Sequence, residues 1–493
     1  MHLITLLALL PLIAGIPTQQ QQQQQPFQIQ IQNHVNPLKH LSAISPFYIP
    51  TQDPTPLPSS CELDRVSLLI RHSSIQGNDD EFEQTMKPFI DKIDSYKKDQ
   101  RGKLPKKGEW AFLNEWDTPI KEETLEVVSD QGKKDAKFLG KYIREQYDSL
   151  FPSKKKTTTK KDKNKTSYKI WTASSPRDID TAKAYIKGGF PSHQSGDDGE
   201  GDGEVVQLVK VPNKAKDWDR SLTPHKACDA FEKVSSLEPA NKWLAVYAPK
   251  VIERLRGVIP EIADELVDQD ILAMQMLCGY ETIASGHSHF CKLFTDEEWL
   301  DVEYYFDVRF HYMMGYGSPL AAYLGMPWSK TAKHLLAGKD TGGDHPSSHP
   351  PKDEYKKGGK LPEPKLPPNA THTQLLHPSF THRESPAFVA VFLNLFNSTS
   401  HPHPASETPP LDHRVDDRAW RTSHLVSFLG HVALERYHCK HDGDYVRAVV
   451  NGIQQTMSGC EDGLEGSCKW KTFDKWIDQR AARWGDWESV CEK

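Results

Sequence analysis

The hydrophobic pattern becomes regular only after residue 60. Leu68 to Ile70 is a short apolar run, and β-branched Val66 and Ile70 beside it suit a buried strand over 65–71. The polar cluster Ser73, Ser74, Gln76, Gly77, Asn78, Asp79 and Asp80 cannot continue that strand, so the chain turns out of a sheet just after Arg71-His72. Mixed, helix-prone sequence begins at 81–90. Apolar residues at three- and four-residue steps from Ser129, a capping residue, through Ala136, Phe138, Leu139, Tyr142 and Ile143 to Tyr147 predict an amphipathic helix. A second strand is expected over 169–173, followed by the turn Ser174-Ser175-Pro176-Arg177 and a helix over 178–186. The chain from 224 to 275 reads as largely helical, with Ala245, Val251, Ile252, Leu255, Ile262, Leu266, Ile271 and Leu272 as core. Pro386 starts a buried apolar helix over 387–396. An edge or hairpin strand is predicted at 447–451 and a terminal helix at 476–487.

Between these elements lie segments without periodicity. Residues 16–60 are rich in Gln and Pro, with a homopolymer at 19–25, and predict a disordered arm. Residues 153–167, 194–204, 329–369 and 400–417 are polar, glycine- or proline-rich stretches that predict flexible insertions. Residues 1–15 combine the apolar run Leu3 to Ile13 with small Ala14 and Gly15, the pattern of a secretion signal. That run is too short to span a membrane, and no later stretch approaches the roughly 18 consecutive apolar residues a span needs.

Composition adds three constraints. Across 493 residues the formal charge is -6, so no global basic field points to nucleic acid. The 22 histidines make the chain more positive as pH falls, which suits anionic ligands in acid medium. The 8 cysteines are even in number, consistent with disulfides in an oxidising compartment. Asn164, Asn369 and Asn397 each open an N-glycosylation acceptor sequence, usable only on an exported chain. These features predict a secreted, extracellular protein.

Three stretches carry candidate chemistry. Arg71-His72 stands where a strand ends, the position at which open α/β sheets bind ligands. An imidazole there can attack phosphorus while a guanidinium holds the phosphoryl oxygens as a planar fork. Taken alone, the dipeptide is equally an ordinary polar pair. Arg177 precedes a helix whose free N–H groups suit an anion. His382-Arg383-Glu384 lies on a turn ahead of another helix. There a carboxylic acid can protonate a leaving oxygen and a histidine can donate to a phosphoryl oxygen. His287-Ser288-His289 offers two metal ligands but lacks the partner spacing of a zinc site, which favours a structural role.

Together these stretches resemble the histidine acid phosphatase family, which includes fungal phytases. Arg71-His72-Ser73-Ser74-Ile75-Gln76-Gly77 occupies the family's Arg-His-Gly-x-Arg-x-Pro motif. The segment Ser175 to Tyr185 is similar to its second motif, and His382-Arg383-Glu384 to the His-x-Glu form of the third. Cys291 to Trp299 and Tyr312 to Leu320 look like phytase segments in the same order. The resemblance implies a mixed α/β sheet flanked by helices, with a mainly helical subdomain over roughly 85–150 and 220–300. It implies disulfides pairing Cys61 with Cys439, Cys228 with Cys491, Cys278 with Cys291, and Cys460 with Cys468. It implies His72 as nucleophile, Arg71, Arg177 and His382 as phosphate ligands, and Glu384 as the acid. Neither metal nor cofactor is implied, because fixed cations neutralise the phosphoryl oxygens.

The departures from the motif carry a second expectation. Ile75 replaces the family's second arginine, Ser73 its glycine and Gly77 its proline. Losing one fixed donor to transition-state charge costs on the order of 10²–10³ in rate. Arg383, Gln76 and Asn78 are candidate substitutes. The expectation is therefore a secreted acid phosphatase acting on phosphomonoesters, phytate among them. The alternative is a weakly active or non-catalytic anion-binding member of the same fold.

Overall fold

The computed structural model describes residues 35–49, 55–98, 104–151, 167–190, 205–213, 220–338 and 374–492. Within them, β1 (Cys61–Arg71), β2 (Ser167–Ala173), β3 (Val205–Val211), β4 (Leu376–Thr381), β5 (His431–Cys439), β6 (Gly443–Val450) and β7 (Ile453–Gln455) form a sheet in the order β3-β2-β4-β1-β5-β6-β7. A short β8 (Cys468–Lys469) joins β6. The half from β3 to β1 is parallel, and the half from β1 onward is antiparallel. The sheet is the mixed one expected, with helices on both faces.

Strand β1 sits at the junction of the two halves, which explains why its second half, from Val66 to Ile70, is buried and apolar except at Ser67. Leu68 and Ile70 pack on one face with the helices α1 (Asp130–Gln146) and α2 (Pro176–Gly189). Leu69 faces the larger core on the other side. The two helices approach until a Cβ on Gly140 would lie 2.1 Å from the Tyr185 carbonyl oxygen, so only glycine fits there. Ser129 caps α1 as its sequence suggests, accepting a 2.9 Å hydrogen bond from the Gly132 amide.

The larger core is built by α3 (Leu237–Arg256), α4 (Asp268–Ser285), α5 (Asp296–Met314), α6 (Ala321–Leu336) and α7 (Glu384–Phe392). The capping box at Thr295 and Glu298 starts α5. All four disulfides implied by the family resemblance are present.

Several expectations need correction. The Gln/Pro-rich arm is not wholly disordered: Leu41 and Ile44 are fully buried, and Leu38 and Phe47 nearly so. These residues recur every third position along two 3₁₀ turns, Pro37–Lys39 and Ser42–Ile44, a period that an α or β template misses. Helix α4 makes room for them at Gly279, where a Cβ would lie 2.5 Å from Ile44 Cγ2. Residues 16–34 lie outside the described residues, as do the signal segment, the loops at 153–166 and 194–204, Asn164 and Asn369. The loop 400–417 is ordered rather than flexible. Arg414 bonds Asp301 at 2.5 Å, and the Tyr304 hydroxyl donates to the Pro410 carbonyl at 2.9 Å. The insertion expected from 329 starts later, because α6 continues to Leu336. The strand at 447–451 is the end of β6, which is a hairpin strand with β5 and β7 rather than an edge of the sheet.

The arm reaches the chemistry directly, since Arg71 Nη1 donates to the Ala43 carbonyl at 2.6 Å. Gly279→Ala is therefore expected to lower the unfolding midpoint, by about 1–3 kcal/mol of overpacking strain. The same variant should raise KM for a phosphomonoester. Steady-state kinetics beside thermal unfolding checks both.

Candidate active site

The parallel register assembles the site. Arg71 pairs with Thr381 across β1 and β4, so His72 and His382 follow side by side at the carboxyl ends of adjacent strands. Strand β2 ends next to β4, and its turn delivers Arg177 to the first turn of α2. The His72 and His382 ring centroids are 6.3 Å apart, edge to face. The three motif stretches thus converge on one edge of the sheet, well within a nanometre for the two imidazoles.

His72 is buried, and its Nδ1 lies 2.9 Å from the Ser73 carbonyl oxygen. A carbonyl only accepts, so Nδ1 carries the proton and the lone pair is on Nε2. Burial, then the charges of Arg71 and Arg177, push this imidazole well below its ordinary value. It is therefore unprotonated in mild acid. Ser73, standing for the motif glycine, ties the loop down. Its hydroxyl donates to the Gly132 carbonyl at 2.6 Å, and its amide donates to Thr181 Oγ1 at 3.0 Å.

Arg71 and Arg177 act on this ring, Arg383 lies near Arg71, and each of the three has an unused donor. Arg71 packs on Phe428, 4.1 Å from the ring centroid, and gives Nη1 to the Ala43 and Val426 carbonyls. Burial and the neighbouring Arg383 bring its pKa down to about 9. Arg177 pairs with Glu126. Arg383 bonds Glu81 at 2.6 Å. Arg71 Nε, Arg177 Nε and Arg383 Nη2 are buried without a hydrogen-bond partner among the described residues. Burying such donors unmade is costly, and an oxyanion would satisfy them.

His382 is more committed than expected for a phosphate ligand. Its Nε2 is 3.0 Å from Ser175 Oγ and 2.9 Å from Asp178 Oδ2, and its Nδ1 is 3.4 Å from His225 Nε2. The Asp178 contact is an ion-pair distance without hydrogen-bond alignment. Glu384 is buried, with Oε2 3.7 Å from His225 Nε2 and Oε1 3.5 Å from Arg383 Nε. Burial would raise this carboxyl, but His225, Arg383, Lys233 and His382 outweigh it and hold it well below the usual carboxylate range.

Of the substitutes for the missing arginine, only Arg383 carries a charge near Arg71. Ile75 points into the larger core and bridges to Val128, so its position offers no donor. Asn78 caps a helical turn, accepting from the Glu81 amide at 3.2 Å and donating to Glu126 at 2.7 Å. Gln76 lines a cavity of about 300 Å³ with Lys133 and Lys134. His289 stacks on Phe112 at 4.6 Å between centroids, a packing role.

Sequence reasoning missed Glu81, Glu126, Asp178 and His225. Glu81, Glu126 and His225 are lone residues outside the motifs that no spacing signals, whereas Asp178 lies inside the second motif segment, where nothing local marks it as a partner of His382. Glu81 is the largest omission: it accepts from Arg383 and from the Tyr280 hydroxyl at 2.6 Å each, and Arg309 lies 3.9 Å away.

The buried imidazoles set a pH dependence of stability. Burial pushes His225 down to about 3 and His311 to about 4, while His72 falls well below its ordinary value. In the unfolded chain each titrates near 6.5, so below that pH the unfolded state binds more protons and stability falls as pH falls. His225 alone accounts for about 2 kcal/mol lost between pH 6.5 and pH 5. The unfolding midpoint should therefore drop steadily from pH 7 to pH 4.5, less steeply in His225→Asn. A flat profile contradicts the buried neutral rings.

Comparison with known proteins identifies the family. Acid phosphatase from Schizosaccharomyces pombe is 24% identical over 452 residues, covering 87% of this chain and 85% of the relative. Phytase A from Aspergillus terreus is 25% identical over 447 residues, covering 88% and 87%. In fold, the chain is similar to the crystal structure of the phytase from D. castellii. That match has a TM-score of 0.71 and 20% identity, and covers 92% of this chain and 87% of that one. The family model of the histidine phosphatase superfamily (branch 2) matches residues 62–451, and the chain belongs to that family.

Proposed function

We propose that this chain hydrolyses phosphomonoesters in acid medium through a phosphohistidine at His72. The observation that carries the reading is the neutral, Nδ1-anchored imidazole of His72 beside the unpartnered donors of Arg71, Arg177 and Arg383. The names of the relatives support the reaction class. Phytate enters as a candidate substrate because several relatives are phytases.

In the first half-reaction His72 Nε2 attacks phosphorus and the P–O bond to the leaving alcohol breaks. The arginines hold the non-bridging oxygens as charge builds on them. The alcohol must gain a proton, yet Glu384 is ionised in the free site. A phosphomonoester with a second pKa near 6 brings that proton itself below this pH. Glu384 is placed to receive it and pass it to the leaving oxygen. In the second half-reaction Glu384 takes a proton from water, which attacks the phosphohistidine and releases phosphate and free His72.

Two outcomes follow. kcat/KM should fall about tenfold per pH unit above roughly pH 6, where the substrate loses its proton. Glu384→Gln should lower kcat by about 10²–10⁴ on an alkyl phosphate. The loss should be much smaller on p-nitrophenyl phosphate, whose leaving group needs no acid. Equal losses on both substrates would remove Glu384 from the acid role.

A second reading has its own support: Arg177 and Arg383 already pair with Glu126 and Glu81, and Ile75 supplies no donor. A non-catalytic anion-binding member of the fold would bind inorganic phosphate without hydrolysing esters between pH 3 and 6. Export is supported by the four disulfides, and no helix among the described residues is long and apolar enough to cross a membrane. N-glycans are proposed at Asn164, Asn369 and Asn397. The Asn397 amide meets Asn394 at 2.9 Å and Ser406 at 3.1 Å.

A further inference from the structure

We propose that His225, His382 and Glu384 form a site for a zinc-type divalent ion, and that ion and phosphoryl group exclude one another there. One ligand atom from each of the three buried residues lies within 4.8 Å of the other two. His225 Nε2 is 3.4 Å from His382 Nδ1 and 3.7 Å from Glu384 Oε2. Metal–ligand bonds of about 2.0–2.1 Å in a tetrahedron put neighbouring ligand atoms about 3.3–3.4 Å apart. The two separations at His225 are close to that spacing, and His382 and Glu384, within 4.8 Å of each other, close in on the ion by side-chain movement.

The surroundings of His382 give an independent reason. A metal-bound histidine normally presents its other ring nitrogen to a carboxylate, which fixes the ring and strengthens the ligand. His382 Nε2 lies 2.9 Å from Asp178 Oδ2, an ion-pair distance without hydrogen-bond alignment, and 3.0 Å from Ser175 Oγ, while Nδ1 is turned toward the cluster. His225 packs on two rings, 5.6 Å from Phe231 and 6.1 Å from Phe388 between centroids. Its Nδ1 is buried with no partner among the described residues. Its polar contacts, to His382 and Glu384, are with the other two ligands, so a small rotation of the ring toward an ion breaks no bond outside the cluster.

The donor set selects the ion. Two imidazoles and one carboxylate suit zinc, whereas magnesium and calcium want six or more oxygens. Three protein ligands leave a fourth position for water. An ion here would occupy Glu384 and His382, so it would block the proton transfer assigned to Glu384. The binding claim stands by itself, and the exclusion claim rests on the phosphatase reading.

Equilibrium dialysis of the metal-stripped full chain against radioactive zinc at pH 7 tests the site. The wild type should bind one zinc that His225→Asn and Glu384→Gln each weaken at least about tenfold. His403→Ala, at the exposed pairing with Glu407, should leave that zinc unchanged. Because the triad variants can lose their fold, X-ray absorption on the wild type supplies a second readout, with two imidazole nitrogens and one carboxylate oxygen expected. Inorganic phosphate should lower the bound fraction, and zinc should inhibit p-nitrophenyl phosphate hydrolysis reversibly with EDTA. Equal zinc affinity in folded triad variants, or a zinc without imidazole ligands, overturns the site. Zinc bound at the triad of a chain that hydrolyses no phosphomonoester would keep the metal site and remove the phosphatase. Hydrolysis lost in His72→Ala, with no zinc at the triad, would do the reverse.

Discussion

His72→Ala is expected to lose on the order of 10⁴-fold or more in kcat toward p-nitrophenyl phosphate, with inorganic phosphate still bound. The nucleophile is the one group whose work nothing nearby can take over. His382 turns both nitrogens to protein partners, and the His225 Nε2 is engaged with His382 and Glu384. The phosphate ligands remain in the variant, because Arg71 is held by the Ala43 and Val426 carbonyls and by Phe428 rather than by His72. Loss of turnover with binding retained is thus the signature. Wild-type rates in His72→Ala would end the enzymatic account.

Glu81→Ala is expected to cost about 3–5 kcal/mol of stability, the largest effect on folding from any single site here. Glu81 is buried among Arg383, Arg309 and Tyr280. Burial opposes its ionisation, but the two guanidinium groups and the Tyr280 hydroxyl outweigh it and hold the carboxyl below its ordinary value. Removing it leaves Arg383 with Glu384 at 3.5 Å and Arg309 without an acid partner among the described residues, both in the core. Glu81→Gln, which keeps the hydrogen bonds but not the charge, should fall between. A Glu81→Ala midpoint of thermal unfolding equal to wild type would show that these cations have another partner.

Much of this was readable from the chain. The apolar run at 66–70 specifies a central strand, since only a doubly covered strand needs such a sequence. The three motif stretches were legible because strand ends and helix starts leave local marks. Strand β4 was not, because Pro378 argues against a strand interior, yet β2 reaches only Ser379 and Phe380 and the break falls beside that proline. Strand β5 was also missed. The buried arm hid behind its glutamine-rich composition. The carboxylates that hold the arginines were beyond reach for another reason: Glu81 meets Arg383 across 302 positions, and only the folded sheet brings them together.

The most direct test of the central claim is to trap the covalent intermediate. Enzyme mixed with phosphomonoester labelled in its phosphoryl group is quenched within milliseconds in alkaline detergent, where phosphohistidine survives, and the labelled peptide is sequenced. The account predicts label on His72 approaching one per chain, chased by unlabelled substrate. Turnover with no label, or label on another residue, would contradict it.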